Sequence, residues 1–216
     1  MRVLCIGYRS WALDIYDKLN KNYKNGEIYI IRNKEDYSDD FVENFYPDII
    51  LFYGWSWVVS KKIINTFKCI MLHPSKLPNY RGGSPIQNQI IDGVNESAVT
   101  LFHMNNYLDA GMILFQQTMN LDGHIEDIFS RIITIGYEGT MKILLDSSEG
   151  IKQNDDDASY CKRRVESQSE ITLDELATKS GDYLYNKIRM LEDPYPNAYF
   201  VTSDGKKILL KRVEII

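Results

Sequence analysis

The stretch Cys69-Ile-Met-Leu-His73-Pro-Ser-Lys-Leu-Pro-Asn-Tyr-Arg-Gly-Gly-Ser-Pro-Ile-Gln87 decides how this chain is read. Four apolar residues run into a histidine, and two prolines and a glycine pair then exclude any regular element before Ser84. An apolar strand that ends on an imidazole and opens into a loop is how an α/β sheet presents a reactive group beyond its carboxyl ends. A second segment, Leu108-Asp-Ala-Gly111, lies between two further apolar runs. An imidazole and a carboxylate offered from separate loops are what a proton-transfer site requires.

Outward from this stretch the chain alternates strand and helix. Residues 3–7, 27–31, 48–53 and 69–72 read as strands, the third almost wholly apolar, as a buried parallel strand should be. Residues 10–23 have helical spacing through Trp11, Leu13, Ile15, Tyr16 and Leu19, with Ser10 as the expected N-cap. Short helices are expected over 61–67 and 84–92, strands over 99–104 and 112–118, and a long amphipathic helix over 126–145. After a polar hinge at 154–157, residues 160–169 are basic and irregular. A helix is then expected over 173–191, followed by the breaker Asp193-Pro-Tyr-Pro-Asn197. A hairpin closes the chain, with strands over 198–202 and 207–215 joined through Asp204-Gly205. The fold class is therefore α/β: an open, mostly parallel, Rossmann-like sheet with a small C-terminal α+β extension ending in a β-hairpin. The expected division is a catalytic unit over residues 1–150 and an extension over 151–216.

Composition narrows the functional classes. At 216 residues and 44% hydrophobic content the chain can bury a substantial core. A formal net charge of -5 offers no basic face of the kind that phosphate neutralisation along a nucleic acid needs. Three scattered cysteines, Cys5, Cys69 and Cys161, form neither a disulfide framework nor a CxxC metal site, and imply a cytoplasmic protein with reduced thiols. No apolar run approaches a membrane span, and no signal peptide is expected. His103 and His124 lack zinc-ligand spacing, so no metal is expected. Gly7 is not followed by a GxGxxG pattern, and neither a Walker-type phosphate loop nor a nucleophile elbow is present.

Each site element has a plainer reading beside the chemical one. His73 could cap a strand end, and Asp109-Ala-Gly111 is ordinary turn chemistry. Together the two favour catalysis. The loop over 79–83 reads either as a connector or as a flexible lid over substrate. Phe52-Tyr-Gly-Trp-Ser-Trp57 ends a strand in aromatics, as a core rim or as the wall of a flat heterocycle's pocket.

The string from Leu72 to Gln87 resembles the active-site loop of the N10-formyltetrahydrofolate-dependent formyltransferases. That family includes methionyl-tRNA, glycinamide ribonucleotide and sugar N-formyltransferases. Leu108-Asp-Ala-Gly-Met-Ile-Leu114 is similar to the family's second motif, which carries its essential aspartate. Lys162-Arg-Arg164, Glu170-Ile171 and the segment from Asp193 to Ala198 resemble downstream parts of the tRNA and sugar branches. The Tyr-Arg-Gly-Gly-Ser-Pro-Ile-Gln form of the loop is similar to those two branches and unlike the glycinamide ribonucleotide enzymes. The tRNA enzymes carry a further nucleic-acid-binding domain, whereas this acidic chain stops at Ile216. The sugar N-formyltransferase branch is therefore expected, with no nucleic-acid or membrane partner. The apolar, aromatic C-terminal region is compatible with a homodimer.

The resemblance implies formyl transfer from N10-formyltetrahydrofolate to the primary amine of a nucleotide-linked amino sugar. His73 is then the general base or proton shuttle, and Asp109 holds its tautomer and stabilises its protonated form. One position departs from the family. Two residues before the histidine the family has an asparagine that helps stabilise the oxyanion, and here stands Met71, whose thioether donates no hydrogen bond. Losing one such donor typically costs about 10²–10³ in rate. The role then passes to Asn105, Asn106 or a backbone N–H, or the enzyme is slow, or only binding survives. Release of formate to water is a further alternative. For the folate the resemblance points to residues 54–59 and 105–109, with Trp55, Trp57, Val58, Val59, Asn105, Asn106 and Asp109 as contacts. For the acceptor, Arg9, Lys76 and Arg81 are the expected phosphate contacts and Tyr80 and Gln87 the expected sugar contacts.

Overall fold

The computed structural model describes residues 1–146 and 149–216. In chain order the elements are β1 (Arg2–Ile6), α1 (Ser10–Asn22), β2 (Glu27–Ile31), α2 (Asp39–Phe45), β3 (Ile49–Phe52), α3 (Lys61–Thr66) and β4 (Cys69–His73). There follow β5 (Arg81–Gly82), α4 (Pro85–Ile91), β6 (Glu96–His103), β7 (Ile113–Asn120) and α5 (Ile125–Leu145). The remainder is β8 (Tyr160–Cys161), α6 (Leu173–Thr178), α7 (Gly181–Arg189), β9 (Ala198–Val201) and β10 (Lys207–Leu210).

Six strands form one sheet in the order β2-β1-β3-β4-β6-β7. The first four are parallel, while β6 runs antiparallel to β4 and β7 antiparallel to β6. The sheet is the expected open, mostly parallel, Rossmann-like one. The two-residue period of its strands sorts the core into two layers. Val3, Cys5, Ile49, Leu51, Ile70 and Leu72 join the cluster under α1 and α5. Their neighbours Leu4, Ile6, Ile50, Phe52 and Cys69 join the cluster holding Val42 of α2 and Ile63 of α3. Both faces are thus covered, which is why these strands read as continuous apolar runs.

Several boundaries differ from the sequence expectation. Arg9, not Ser10, is the N-cap residue of α1, and no side chain caps that helix. Helix α2 escaped the periodicity reading because it is short and buries only Val42; Ser38 Oγ caps it, accepting from the Phe41 N–H at 3.1 Å. The helix expected over 173–191 is two helices. The chain is extended at Lys179 and Ser180, and the Ser180 side chain starts α7 afresh by accepting from the Tyr183 N–H. The last strand ends at Leu210 rather than at residue 215. Residues beyond 150 share the main core, to which Ile171, Ile188, Met190, Leu191 and Ala198 contribute. The segment after α5 is stitched to the sheet by the Ile151–Ile113 pair, with both N–H···O contacts at 2.8 Å, and by β8 alongside β5. Among the described residues no helix is long and apolar enough to cross a membrane.

Candidate active site

His73 is the last residue of β4, and Met71 lies two residues before it. Side chains two apart on a strand share a face, and both line a cleft of about 680 Å³ beyond the carboxyl ends of the parallel strands. That volume suits a small-molecule site. The loop after His73 is held from several sides. Ser75 Oγ donates to the Asn79 carbonyl at 2.6 Å, Thr100 Oγ1 to the Ser75 carbonyl at 2.7 Å, and Gln116 Nε2 to the Leu77 carbonyl at 3.0 Å. Residues 81–83 pair with 159–161 through the Arg81 and Gly83 N–H groups. The flexible-lid reading of this loop is therefore set aside.

The imidazole Nε2–H donates to the Tyr80 carbonyl at 2.8 Å. A carbonyl only accepts, so this contact places a proton on Nε2 and leaves Nδ1 as the basic nitrogen of the neutral ring. Nδ1 faces Asp109 Oδ2 at 3.6 Å, with both side chains under one tenth exposed. The sequence reading gave Asp109 the tautomer-holding role. The geometry gives it to the Tyr80 backbone and places the Asp109 carboxylate beside the other nitrogen. Asp109 Oδ2 also accepts the Gly82 N–H at 2.8 Å. Asp109 itself is left-handed, with φ of 50°, a conformation that Asp tolerates better than most residues.

Two glycines permit this arrangement. A Cβ on Gly111 would stand 1.5 Å from the His103 carbonyl oxygen, so the strand end can pass only over a bare backbone. Gly82 has φ of 110°, and a Cβ there would meet the Cys161 carbonyl oxygen at 2.4 Å.

Of the expected folate contacts, Trp55, Trp57, Val58, Val59, Asn105, Asn106 and Asp109 all line the cleft. Trp55 and Val59 are buried, while Val58 is fully exposed at the mouth. The Trp55 indole N–H is buried with no acceptor among the described residues. Of the proposed replacements for the family asparagine, Asn106 Nδ2 is turned to Asn65 Oδ1 at 3.3 Å. Asn105 spends its Oδ1 on the Tyr107 N–H at 2.9 Å, and its NH₂ has no partner among the described residues.

The acceptor contacts divide. Arg9 and Gln87 line the cleft, and Gln87 Nε2 is a buried donor beside Tyr195 with no partner in hydrogen-bond range among the described residues. Lys76, Tyr80 and Arg81 do not line it. Lys76 is exposed outside the cleft. The Tyr80 hydroxyl turns to Asp92 Oδ2 at 3.0 Å, because a left-handed φ of 56° points its carbonyl, and not its ring, at the histidine. Arg81 is 1% exposed and is consumed internally by Gln153, Tyr160 and Asp155. In place of Lys76 and Arg81 the fold brings in Arg163. Its Nη1 donates to Ser56 Oγ at 3.3 Å, Ser56 Oγ lies 2.7 Å from the Tyr8 hydroxyl, and the Arg9 guanidinium stacks 4.8 Å over the Tyr8 ring. Neither arginine is paired with a carboxylate among the described residues.

Tyr195, Arg163 and Gln153 were not singled out from the sequence. The Asp193–Asn197 segment and the basic tripeptide were visible there only as a breaker and as a resemblance. Gln153 carried no signal, being one residue of a polar run, Lys152 to Asp157. Cys161 also lines the cleft, but burial raises its pKa and its thiol donates to the Gly83 carbonyl at 3.2 Å, so it is a poor nucleophile. His103 lies outside the cleft, its pKa lowered by burial and by nearby Lys68. His124 Nδ1 pairs with Glu192 Oε1 at 2.6 Å at the start of α5. Among the described residues no cluster of three metal-ligating side chains occurs.

A methionyl-tRNA formyltransferase of Rickettsia prowazekii is 31% identical over 190 residues, 85% of this chain and 60% of that protein. The chain spans between half and three fifths of the curated relatives it matches, 52% in a Rickettsia massiliae protein. A solved methionyl-tRNA formyltransferase from Clostridium thermocellum is 30% identical, superposes with a TM-score of 0.87, and is covered to 99% by the whole of this chain. A sugar N-formyltransferase from a Shewanella species is 16% identical and shares the fold, with a TM-score of 0.77, 100% of this chain and 99% of that one being covered. The sequence profile described as formyl transferase matches residues 30–139. That match covers just over half of the chain and includes both the His73 loop and the Asp109 turn, and by it the chain belongs to the formyl transferase family.

Proposed function

We propose that this chain moves a formyl group from N10-formyltetrahydrofolate to the primary amine of a nucleotide-linked amino sugar. The observation that carries the reading is the His73–Asp109 pair on the cleft wall, with the tautomer set so that Nδ1 is free. An amine that attacks a formyl carbon must shed a proton, and Nδ1 receives it. The protonated ring is stabilised by Asp109, whose own charge is held by the Gly82 N–H. The proton then passes to the nitrogen that loses the formyl group. Positioned acid–base groups of this kind contribute about 10²–10⁴ in rate.

The residues present fit the folate. Its formyl group, when bound, is already activated for transfer to an amine. Trp55, Trp57 and Phe102 wall the cleft, and the unsatisfied Trp55 N–H is a donor that a heterocycle's acceptor atom would complete. For the acceptor, Arg9 and Arg163 are two cleft arginines without carboxylate partners, and a phosphate-bearing ligand supplies the missing charge. Gln87 Nε2, beside Tyr195 and with no partner in hydrogen-bond range among the described residues, adds a donor suited to a sugar oxygen. A net charge of -5 favours such a small anionic acceptor over an RNA held mainly through its backbone.

The test incubates purified protein with N10-formyltetrahydrofolate and a panel of nucleotide amino sugars, with methionyl-tRNA as the competing arm. Expected are tetrahydrofolate release and a one-formyl mass gain on a sugar, both abolished by His73→Ala. Formylation of methionyl-tRNA alone refutes the sugar reading, and formate release without an amide product identifies a hydrolase. Met71 favours a second reading, a binding homologue without turnover, since no side-chain amide stands where the family has one. In that case the folate binds and neither product appears.

A further inference from the structure

Gln153 is 5% exposed and its amide is fully engaged. Its Nε2 donates both hydrogens, one to the Asp109 carbonyl at 2.9 Å and one to the Gly111 carbonyl at 2.7 Å. Its Oε1 accepts from Arg81 Nε at 3.1 Å and Nη2 at 2.7 Å. Arg81 is fixed in turn by Tyr160 and by Asp155. The residue after it, Gly82, donates its N–H to the Asp109 carboxylate. Three segments therefore close a ring: the Arg81–Gly82 loop, the Asp109–Gly111 turn, and the Gln153 strap that follows α5.

The chemistry of this ring admits few side chains. Two backbone carbonyls need donors, and a buried guanidinium needs an acceptor. A primary amide supplies both at one position. Glutamate would face the two carbonyls with lone pairs, and leucine would strip the partner from both carbonyls and from Arg81 Nε, leaving Nη2 only its bond to Asp155. None of these bonds touches the reacting atoms. Their effect is on the backbone of Asp109, a left-handed residue whose carboxylate must stand 3.6 Å from His73 Nδ1.

We propose that Gln153 is a positioning residue, clamping the Asp109 turn so that its carboxylate meets the imidazole of His73. The proposal rests on the acid–base reading of that pair. Loops left to themselves wander by the ångström that costs about 100-fold in rate.

The experiment is a double-mutant cycle of Gln153→Leu and Asp109→Asn, repeated with Gln153→Glu, which keeps the Arg81 bond but loses the donors. In the wild-type background each Gln153 variant is expected to lower kcat by about 10- to 100-fold with KM changed less than roughly threefold. In the Asp109→Asn background it is expected to add less than about twofold, because the carboxylate it positions is gone. The same four proteins are compared through the His73 ring signals in NMR, a small problem with three histidines in the chain. Those signals shift on Gln153→Leu, the His124 signals do not, and Gln153→Leu adds no further shift once Asp109→Asn is present. This second readout needs no turnover. A wild type that transfers no formyl group would sink the proposed reaction while leaving the clamp decided by the ring signals. Equal losses in both backgrounds, a change confined to KM, unmoved His73 signals, or variants of both kinds that do not fold would each overturn the positioning role.

Discussion

Asp109→Asn replaces the carboxylate that faces His73. At 3.6 Å and an effective dielectric of roughly 20, a carboxylate attracts an imidazolium by about 4.6 kcal/mol, and a neutral amide offers only a dipole in its place. This attraction exists only after Nδ1 has taken the proton, so its loss falls on the transition state and spares ground-state binding. At about 1.36 kcal/mol per decade, complete loss corresponds to roughly 10³ in rate, and solvent in the open cleft trims it toward 10². The substitution keeps the fold, because asparagine Oδ1 still accepts the Gly82 N–H and the Gln153 bonds run to the backbone. The assay is initial-rate tetrahydrofolate release at saturating donor and acceptor, with a thermal melt as control. Expected is a kcat lower by about 10²–10³, with both KM values within roughly threefold of wild type. A loss below tenfold, or one confined to KM, shows that the carboxylate does not stabilise the protonated ring.

Three further outcomes follow from the same coordinates. Met71→Asn places a side-chain amide on the cleft face of β4 two residues before His73; kcat is expected to rise by about tenfold or more, at about 1–3 kcal/mol of stability for the lost packing, and an unchanged kcat in the rate assay would show that another donor already fills the role. Gly111→Ala drives a methyl into the His103 carbonyl, so a denaturant titration should show a loss of about 3 kcal/mol or more, together with collapse of turnover; near-wild-type stability would contradict the close approach. Outside the cleft lining, burial raises the Glu175 pKa, but Lys187, the Thr172 N–H and Tyr183 more than offset it and hold the carboxyl below its ordinary range. A depressed folded-state pKa contributes stability that is present above the unfolded value, about 4.3, and is lost as pH falls through the lower folded value. The stability gap between wild type and Glu175→Gln should therefore narrow between about pH 5 and pH 2, and a gap independent of pH in urea melts would refute the pairing.

The parts of the protein that were legible in the sequence are those where one local rule acts alone. β1 and β3 are apolar on both faces because helices cover both, and α1 and α5 carry an unbroken apolar stripe, so their type and approximate bounds follow from periodicity. The split between α6 and α7 was missed because both halves have helical composition and only the hydroxyl of Ser180 marks the restart. The same limit applies to α2, too short for a period to declare itself.

At the site, His73 and Asp109 could be placed from the sequence because a strand end and a turn between strands fix where such side chains emerge, whereas Met71 stood out only through the family resemblance. Arg81 and Lys76 were assigned to substrate on charge, and charge says nothing about direction. Only the packing of the segment after α5 against the His73 loop turns Arg81 inward to Gln153 and Asp155 and carries Arg163 and Tyr195 to the cleft. Periodicity and motif are properties of neighbours along the chain and can be read there. Which way Arg81 turns depends on Gln153, some 70 residues further on, and which nitrogen of the imidazole is left bare depends on the loop folding the Tyr80 carbonyl back onto it; only the folded backbone brings either partner within hydrogen-bond range.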